Sequence, residues 1–133
     1  MANDLVIEET PPKYELELSE GLSRGAIVGW RFGWRKATAR AADRTQLAYV
    51  ALEDGLVGET IRVVREAVMV APEISGGGDA NTLVYVSADV GLEGTLTTTV
   101  PTGTGDTNAP IGVMLRPGRI HVTCQHWTDS VVA

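Results

Sequence analysis

The side chains with the greatest chemical reactivity lie near the C-terminal end of this chain. Cys124 is the single cysteine, and both histidines, His121 and His126, lie within three residues of it. On an extended strand Cys124 and His126 share a face about 6.5–7 Å apart, while His121 points to the opposite face. A cysteine–histidine nucleophile pair needs a closer approach and a third, orienting group, and a zinc site needs further nitrogen or sulfur ligands that the chain does not contain. We therefore interpret Cys124 as a core residue, and expect no catalytic residue, no metal site and no cofactor.

Two glycine-rich segments raise the question of phosphate binding. They are SGGGDAN at 75–81 and TGTGDTN at 102–108. Neither has the G-x-x-x-x-G-K-[ST] spacing, nor a following helix whose N-terminal dipole would attract a phosphate. The EF-hand spacing of a calcium loop is absent as well, and no two carboxylates are placed as an acid–base pair. We interpret both segments as flexible connections between strands.

Charge is distributed unevenly along the 133 residues. The net charge is −6, yet residues 21–44 contain six basic residues and one acidic residue, whereas residues 1–20 contain one lysine and six acidic residues. An acidic surface repels phosphates, which argues against a general nucleic-acid binder. One cysteine cannot form an internal disulfide, and the N-terminus lacks the basic start and apolar run of a signal peptide. No stretch approaches the ~18 apolar residues of a membrane span, so we expect a protein that is soluble and intracellular when made.

The basic segment RGAIVGWRFGWRKATAR, at 24–40, is also the most aromatic part of the chain. Its alternation predicts a strand with Trp30, Phe32 and Trp34 on one face and Arg31 on the other. In one interpretation the rings stack on single-stranded bases while the basic residues follow the phosphates. In the other, which the shared face favours, the rings are core and the charges dock against the acidic arm of a neighbouring copy or another protein. The expected interface charges are Arg31, Arg35, Lys36 and Arg40.

Short strands must position all of these residues. We count seven to nine of them, separated by turn signals, and find no ten-residue amphipathic helix, which predicts a mainly β fold: a compact small β-sandwich or barrel-like domain with an extended N-terminal arm. The expected boundaries are 1–20 for an extended arm or first strand, 21–127 for the β-rich domain and 128–133 for a C-terminal tail. In the hairpin at 109–124, Pro117-Gly118 forms the turn, and Ile111, Val113 and Leu115 are predicted to share one face.

Residues 1–20 have the alternation of a strand with one buried face. An apolar patch around Leu5 and Ile7 precedes a double proline, and Tyr14, Leu16 and Leu18 then alternate with polar residues. Such a segment suits addition to the edge of another protein's sheet, where backbone hydrogen bonds supply affinity and alternate side chains supply specificity. We expect these five residues to contact a partner if the segment is an arm. If it is the first strand of the domain, they pack internally.

The order of segments over residues 47–124 resembles the capsid decoration, or cement, proteins of tailed bacteriophages. The resemblance is a sequence of strands and turns: G-E-T-I-x-V, then V-Y-V-S, G-x-L-T, I-G-V-x-L and a closing I-x-V. They lie at Gly58–Val63, Val84–Ser87, Gly94–Thr97, Ile111–Leu115 and Ile120–Val122.

The resemblance implies a non-enzymatic β-rich protein on the capsid surface of a virion, made in the host cytoplasm. Its partner would be the major capsid protein of a phage head, bound as a homo-trimer, with an N-terminal arm that adds a strand to the shell protein. No membrane partner is expected, and the acidic net charge argues against a nucleic-acid partner. Three other functions stay open: a head–tail joining or tail structural protein, a single-strand nucleic-acid-binding module, and an enzyme.

Overall fold

The computed structural model describes residues 6–9, 13–70, 72, 74–124 and 131–133, which form two β-sheets. The strands are β1 (Val6–Glu9), β2 (Lys13–Glu17), β3 (Ile27–Trp30), β4 (Trp34–Lys36), β5 (Gln46–Ala51), β6 (Thr60–Val64), β7 (Glu66–Val70), β8 (Ile74–Ser75), β9 (Leu83–Val86), β10 (Leu96–Thr97), β11 (Gly112–Arg116) and β12 (Arg119–Thr123). The prediction of a mainly β fold, a small sandwich or barrel-like domain, is confirmed. Within the described ranges, no helix is long and apolar enough to cross a membrane.

The larger sheet has seven strands in the order β1-β7-β12-β11-β9-β10-β8. Its strands alternate along their length, so that Met69 in β7 and Val122 in β12 are buried while their sequence neighbours are partly exposed. These buried side chains pack against residues of the other sheet, such as Val50, in one core cluster. Burying a side chain of this size contributes about 1.5–3 kcal/mol, so this layer of contacts is the main force that holds the sheets together.

The smaller sheet has five strands in the order β2-β6-β5-β3-β4, and it curls into a half-barrel. Its two edge strands approach each other where Leu18, just after β2, forms a parallel bridge with Trp34 in β4. A second core cluster fills the inside of this curl. The consecutive residues Ile27 and Val28 are both fully buried, one in each cluster, because β3 lies between the two cores.

From Lys13 onward, the N-terminal segment is part of the smaller sheet. β2 pairs with β6, and Leu16 and Leu18 are buried in the half-barrel. These two side chains therefore contact the chain's own core and are not offered to a partner in this fold. Tyr14 is partly exposed, with its ring 5.5 Å from that of Tyr49.

Earlier in the segment, the backbone of Ile7 in β1 pairs with Met69 of β7. Leu5 lies outside the described residues. The prediction that it and Ile7 contact a partner stays a prediction.

The hairpin at 109–124 forms as predicted, with β11 and β12 joined at Pro117-Gly118. The predicted alternation of Val113 and Leu115 with Gly112 and Met114 places Met114 on the buried face of β11 and Leu115 on the exposed face, although Ile111, just before the strand, is itself buried. Met114 lies opposite Ile120, whose side chain faces the core, and the register shifts after it. Strand β11 begins at Gly112, one residue after Ile111, and Met114 is its buried residue.

Candidate functional site

Cys124 is confirmed as a core residue. Its side chain is buried among the residues that join the two sheets, and this burial raises the pKa of the thiol to about 12. The thiol is therefore protonated at neutral pH, which removes its nucleophilic form. On the opposite face, the Nε2 atom of His121 lies 2.8 Å from a carboxylate oxygen of Glu66. His126 lies outside the described residues.

Backbone and side-chain hydrogen bonds join the loop at 101–110 to the rest of the domain. A carboxylate oxygen of Asp106 accepts a hydrogen bond from the Ala41 N–H at 2.8 Å, and Val131, predicted to be tail, forms an antiparallel bridge with Thr107. The Gly105 N–H donates to the Val132 carbonyl at 2.8 Å. Groups that would hold a phosphate are thus used internally, and in the described part of the chain no three His, Cys, Asp or Glu side chains are grouped to hold a metal ion.

The aromatic segment forms a hairpin, so the prediction of one strand with three rings on one face is wrong. β3 ends at Trp30, residues 31–33 turn, and β4 begins at Trp34. The reversal depends on two residues with positive φ, Phe32 at 54° and Gly33 at 126°. Gly33 can adopt this conformation because it has no Cβ.

The three rings consequently have different surroundings. Trp30 and Trp34 oppose each other across the hairpin, with ring centroids 5.1 Å apart in an edge-to-face arrangement. Trp34 also packs edge-to-face on Tyr49, against the core of the half-barrel. Trp30 is 44% exposed, and Phe32, at the tip, is 82% exposed. Only Trp34 is therefore partly core, and the interpretation of all three rings as core is wrong.

The tip of the hairpin is held in a strained conformation by Arg35. A bulky residue in the left-handed region costs about 1–2 kcal/mol, and Phe32 has that conformation with its ring largely in solvent. The Arg35 Nε donates to the carbonyl oxygen of Arg31 at 2.6 Å, and its Nη2 donates to that of Phe32 at 3.1 Å. The Arg31 guanidinium lies 5.3 Å from the Phe32 ring centroid, which adds a cation–π contact. The sequence thus produces a tip that is both exposed and preorganised.

The other two predicted interface charges are engaged within the chain. The backbone N–H of Lys36 donates to a Glu20 carboxylate oxygen at 2.9 Å, and its Nζ lies 4.0 Å from the other oxygen. Arg40 binds Asp43 through two nitrogens, and also lies 3.6 Å from Glu93. The hydrogen bond between them raises the pKa of Arg40 and lowers the pKa of Asp43. Of the four predicted charges, Arg31 is the one at the exposed tip.

A groove of about 490 Å³ separates the hairpin tip from the turn that precedes β5. Its lining combines aromatic, basic and polar side chains with small residues: Trp30, Arg31, Phe32, Ala41, Ala42, Arg44, Gln46 and Gly105. The Arg44 Nη1 donates to the Gly105 carbonyl at 3.1 Å, which fixes the guanidinium at one wall. Sequence reasoning missed Arg44 and Gln46, since the pairing of Gln46 with Trp30 joins distant parts of the chain.

A second strained residue lies beside the groove. Leu47 directly follows Gln46 and has a φ of 59°, where β5 bulges opposite β3. Three non-glycine residues in the described ranges have a positive φ. Two of them are at this groove: Phe32 lines it, and Leu47 follows the lining residue Gln46. Strained backbone of this kind concentrates at binding sites, where the surrounding structure holds it in place.

No protein-family model matches the chain, and a search of curated proteins returned no match. The chemistry of the groove and hairpin nevertheless limits what can bind there. Two exposed rings offer apolar contact, Arg31 and Arg44 offer charge-assisted hydrogen bonds, and none of the described lining residues carries a carboxylate. This surface suits a partner that presents apolar groups together with negative charge.

Proposed function

We propose that this chain is a structural virion protein that binds the outside of a phage capsid lattice and stabilises it. Support comes from the resemblance over residues 47–124, whose five segments overlap β6, β9, β10, β11 and β12. A head–tail joining or tail structural role is the alternative within the same class.

The observation that carries the proposal is the preorganised aromatic hairpin. Tryptophan, tyrosine and arginine side chains most often dominate protein–protein binding energy, and phenylalanine is enriched in interfaces. Here Phe32 is 82% exposed on a turn that Arg35 holds with two hydrogen bonds. A rigid tip loses little conformational entropy on binding, so more of its contact energy appears as affinity. The hairpin is thus suited to docking on another protein.

Stabilisation of a shell would follow from mass action. A protein that binds the assembled shell and not the free subunits stabilises the assembly by about 2.7 kcal/mol per site when its free concentration is 100 times the dissociation constant. Copies that bind side by side raise one another's effective concentration, so the sites on the shell fill more completely even though each single contact is weak.

Co-sedimentation with shells of the parent phage that lack this protein tests the proposal. We expect saturable binding to expanded shells, and weaker binding of the Phe32→Asn variant. The matched control is Val90→Ser, because Val90 is 80% exposed and is not part of the groove. A deletion of residues 1–5 removes Leu5 and leaves both β1 and β2 in place, so it tests the start of the arm without removing a strand of the sheet. No binding of the intact protein to compact or expanded shells would overturn the proposal.

The groove also favours a second candidate, a single-strand nucleic-acid-binding module. Trp30 and Phe32 could each stack on a base, and Arg31 and Arg44 could contact phosphates. Oligonucleotide binding that quenches tryptophan fluorescence and weakens steeply with salt supports this candidate. Absence of binding at low salt removes it.

A further inference from the structure

The groove and a second exposed surface lie at opposite ends of the same strand. Gln46, at the start of β5, lines the groove, and the loop at 52–59 follows Ala51 at the end of β5. Five residue steps at about 3.3 Å separate the two ends by about 17 Å. Within one chain the two surfaces therefore lie at opposite ends of β5.

The loop at 52–59 presents apolar side chains between carboxylates. Leu56 and Val57 are 70% and 69% exposed, and Glu53, Asp54 and Glu59 flank them. Isolated exposed apolar residues are common on protein surfaces, but two adjacent ones at the tip of an acidic loop form a small combined patch.

Hydrogen bonds hold this loop in one shape. The Leu56 N–H donates to a Glu59 carboxylate oxygen at 2.7 Å, and the Gly58 N–H donates to the Leu18 carbonyl at 2.8 Å. A carboxylate oxygen of Asp54 accepts the Arg24 N–H at 2.7 Å. The loop is therefore preorganised, as the hairpin tip is, and little entropy is lost when it docks.

The two surfaces are complementary in both polarity and charge. The groove offers the rings of Trp30 and Phe32 beside the guanidinium groups of Arg31 and Arg44. The loop offers two aliphatic side chains beside the carboxylates of Asp54 and Glu59, while the third carboxylate, Glu53, is paired with Arg62. We propose that the groove of one copy receives the Leu56–Val57 loop of a second copy. The biological relevance of this contact rests on the proposed function, because a capsid lattice would hold copies of the chain side by side.

Such a contact is heterologous, because each copy uses two different surfaces. Repeated head-to-tail contacts of this kind close into a ring when the rotation between copies permits, and otherwise they form an open chain. A single loop in a groove buries less than the ~800 Å² per partner of a standard stable interface. The contact is therefore weak in solution and is strengthened when copies are held on a common surface.

Sedimentation velocity of the full-length chain, without any capsid, tests this contact. The wild-type protein should associate as its concentration rises to about 1 mM, where even millimolar contacts are populated. A groove variant, Phe32→Asn/Arg44→Gln, and a loop variant, Leu56→Ser/Val57→Ser, should each associate more than about tenfold more weakly. The control Val90→Ser should associate as the wild type does. Circular dichroism and thermal unfolding confirm that each variant is folded.

Mixing the two variants gives the decisive result. Each variant retains one intact surface, so an equimolar mixture should form a 1:1 heterodimer and nothing larger, with the affinity of the wild-type contact, although each variant alone associates much more weakly. A monomeric mixture, or a wild-type protein that stays monomeric at about 1 mM, overturns the inference. Oligonucleotide binding that is lost in the groove variant, together with a monomeric mixture, identifies nucleic acid as the occupant and also overturns it. Since no capsid is present, these results are independent of whether the protein binds shells.

Discussion

Two substitutions of Phe32, to alanine and to asparagine, distinguish the energetic cost of the left-handed backbone at the hairpin tip from the energy of the contacts that the phenyl ring makes. The φ of 54° is better tolerated by asparagine than by phenylalanine or alanine, by about 1 kcal/mol. Loss of the ring removes about 0.4 kcal/mol of partial burial, because the side chain is 82% exposed, and about 0.5 kcal/mol of the cation–π contact with Arg31. Phe32→Ala should therefore lower the free energy of unfolding by about 1 kcal/mol, whereas in Phe32→Asn the loss and the relief of strain nearly cancel.

Urea unfolding at neutral pH measures the free energy of unfolding of each variant. Because both variants lack the phenyl ring, the difference between their free energies reports the backbone strain alone. We expect Phe32→Asn to be about 1 kcal/mol more stable than Phe32→Ala, with equal slopes against urea. Both variants should bind shells equally weakly, because both lack the ring. If Phe32→Ala is as stable as Phe32→Asn, the tip does not have the left-handed conformation, and the reasoning about preorganisation is refuted.

Three further predictions concern the fold. A Cβ at Gly29 would lie 2.6 Å from the Thr45 Oγ1, so Gly29→Ala should lower the free energy of unfolding by about 1–3 kcal/mol. The control Gly77→Ala should have little effect, because a Cβ there meets nothing within 4 Å. Equal losses of stability in urea unfolding of the two variants would contradict this. The Cys124 thiol, with its pKa raised by burial, should react with a disulfide reagent at pH 8 only after unfolding, and rapid reaction of the native protein would show that it is accessible. Hydrogen bonds from the backbone and side chain of Arg62 lower the pKa of Glu53, so its folded pKa lies below the unfolded value of 4.5; the stability it contributes is present above pH 4.5 and is lost as the pH falls below it. Urea unfolding from pH 6 to pH 3 should therefore show a shallower decline for Glu53→Gln than for the wild type, and parallel curves would contradict the assignment.

The sequence predicts the strand-rich class well, since alternation and turn residues are local signals. The hairpin at Pro117-Gly118 is predicted for that reason. The alternation of Trp30, Phe32 and Trp34 is ambiguous, because a three-residue turn also places Trp30 and Trp34 on one face. Only the tip residue distinguishes the two structures, and the Phe-Gly pair there is a weak turn signal.

Features that depend on pairing between distant segments are not visible in the sequence. The burial of Leu18 follows from its position between β6 and the bridge to Trp34, which closes the half-barrel. The groove forms because Gln46 lies opposite Trp30 and because Arg44 contacts the loop at Gly105. Neither arrangement has a spacing that could be read along the chain, which is why the segment 13–20 could be read equally as an arm.

The stability of the shell itself tests the central claim most directly. Calorimetry of expanded shells that lack this protein should show a disassembly temperature that rises as the protein is added and levels off at saturation, as mass action requires. The Phe32→Asn variant should shift the rise to higher protein concentrations, and the Val90→Ser control should not. A disassembly temperature that is unchanged at every concentration of the intact protein would contradict the account of a protein that binds and stabilises a capsid lattice.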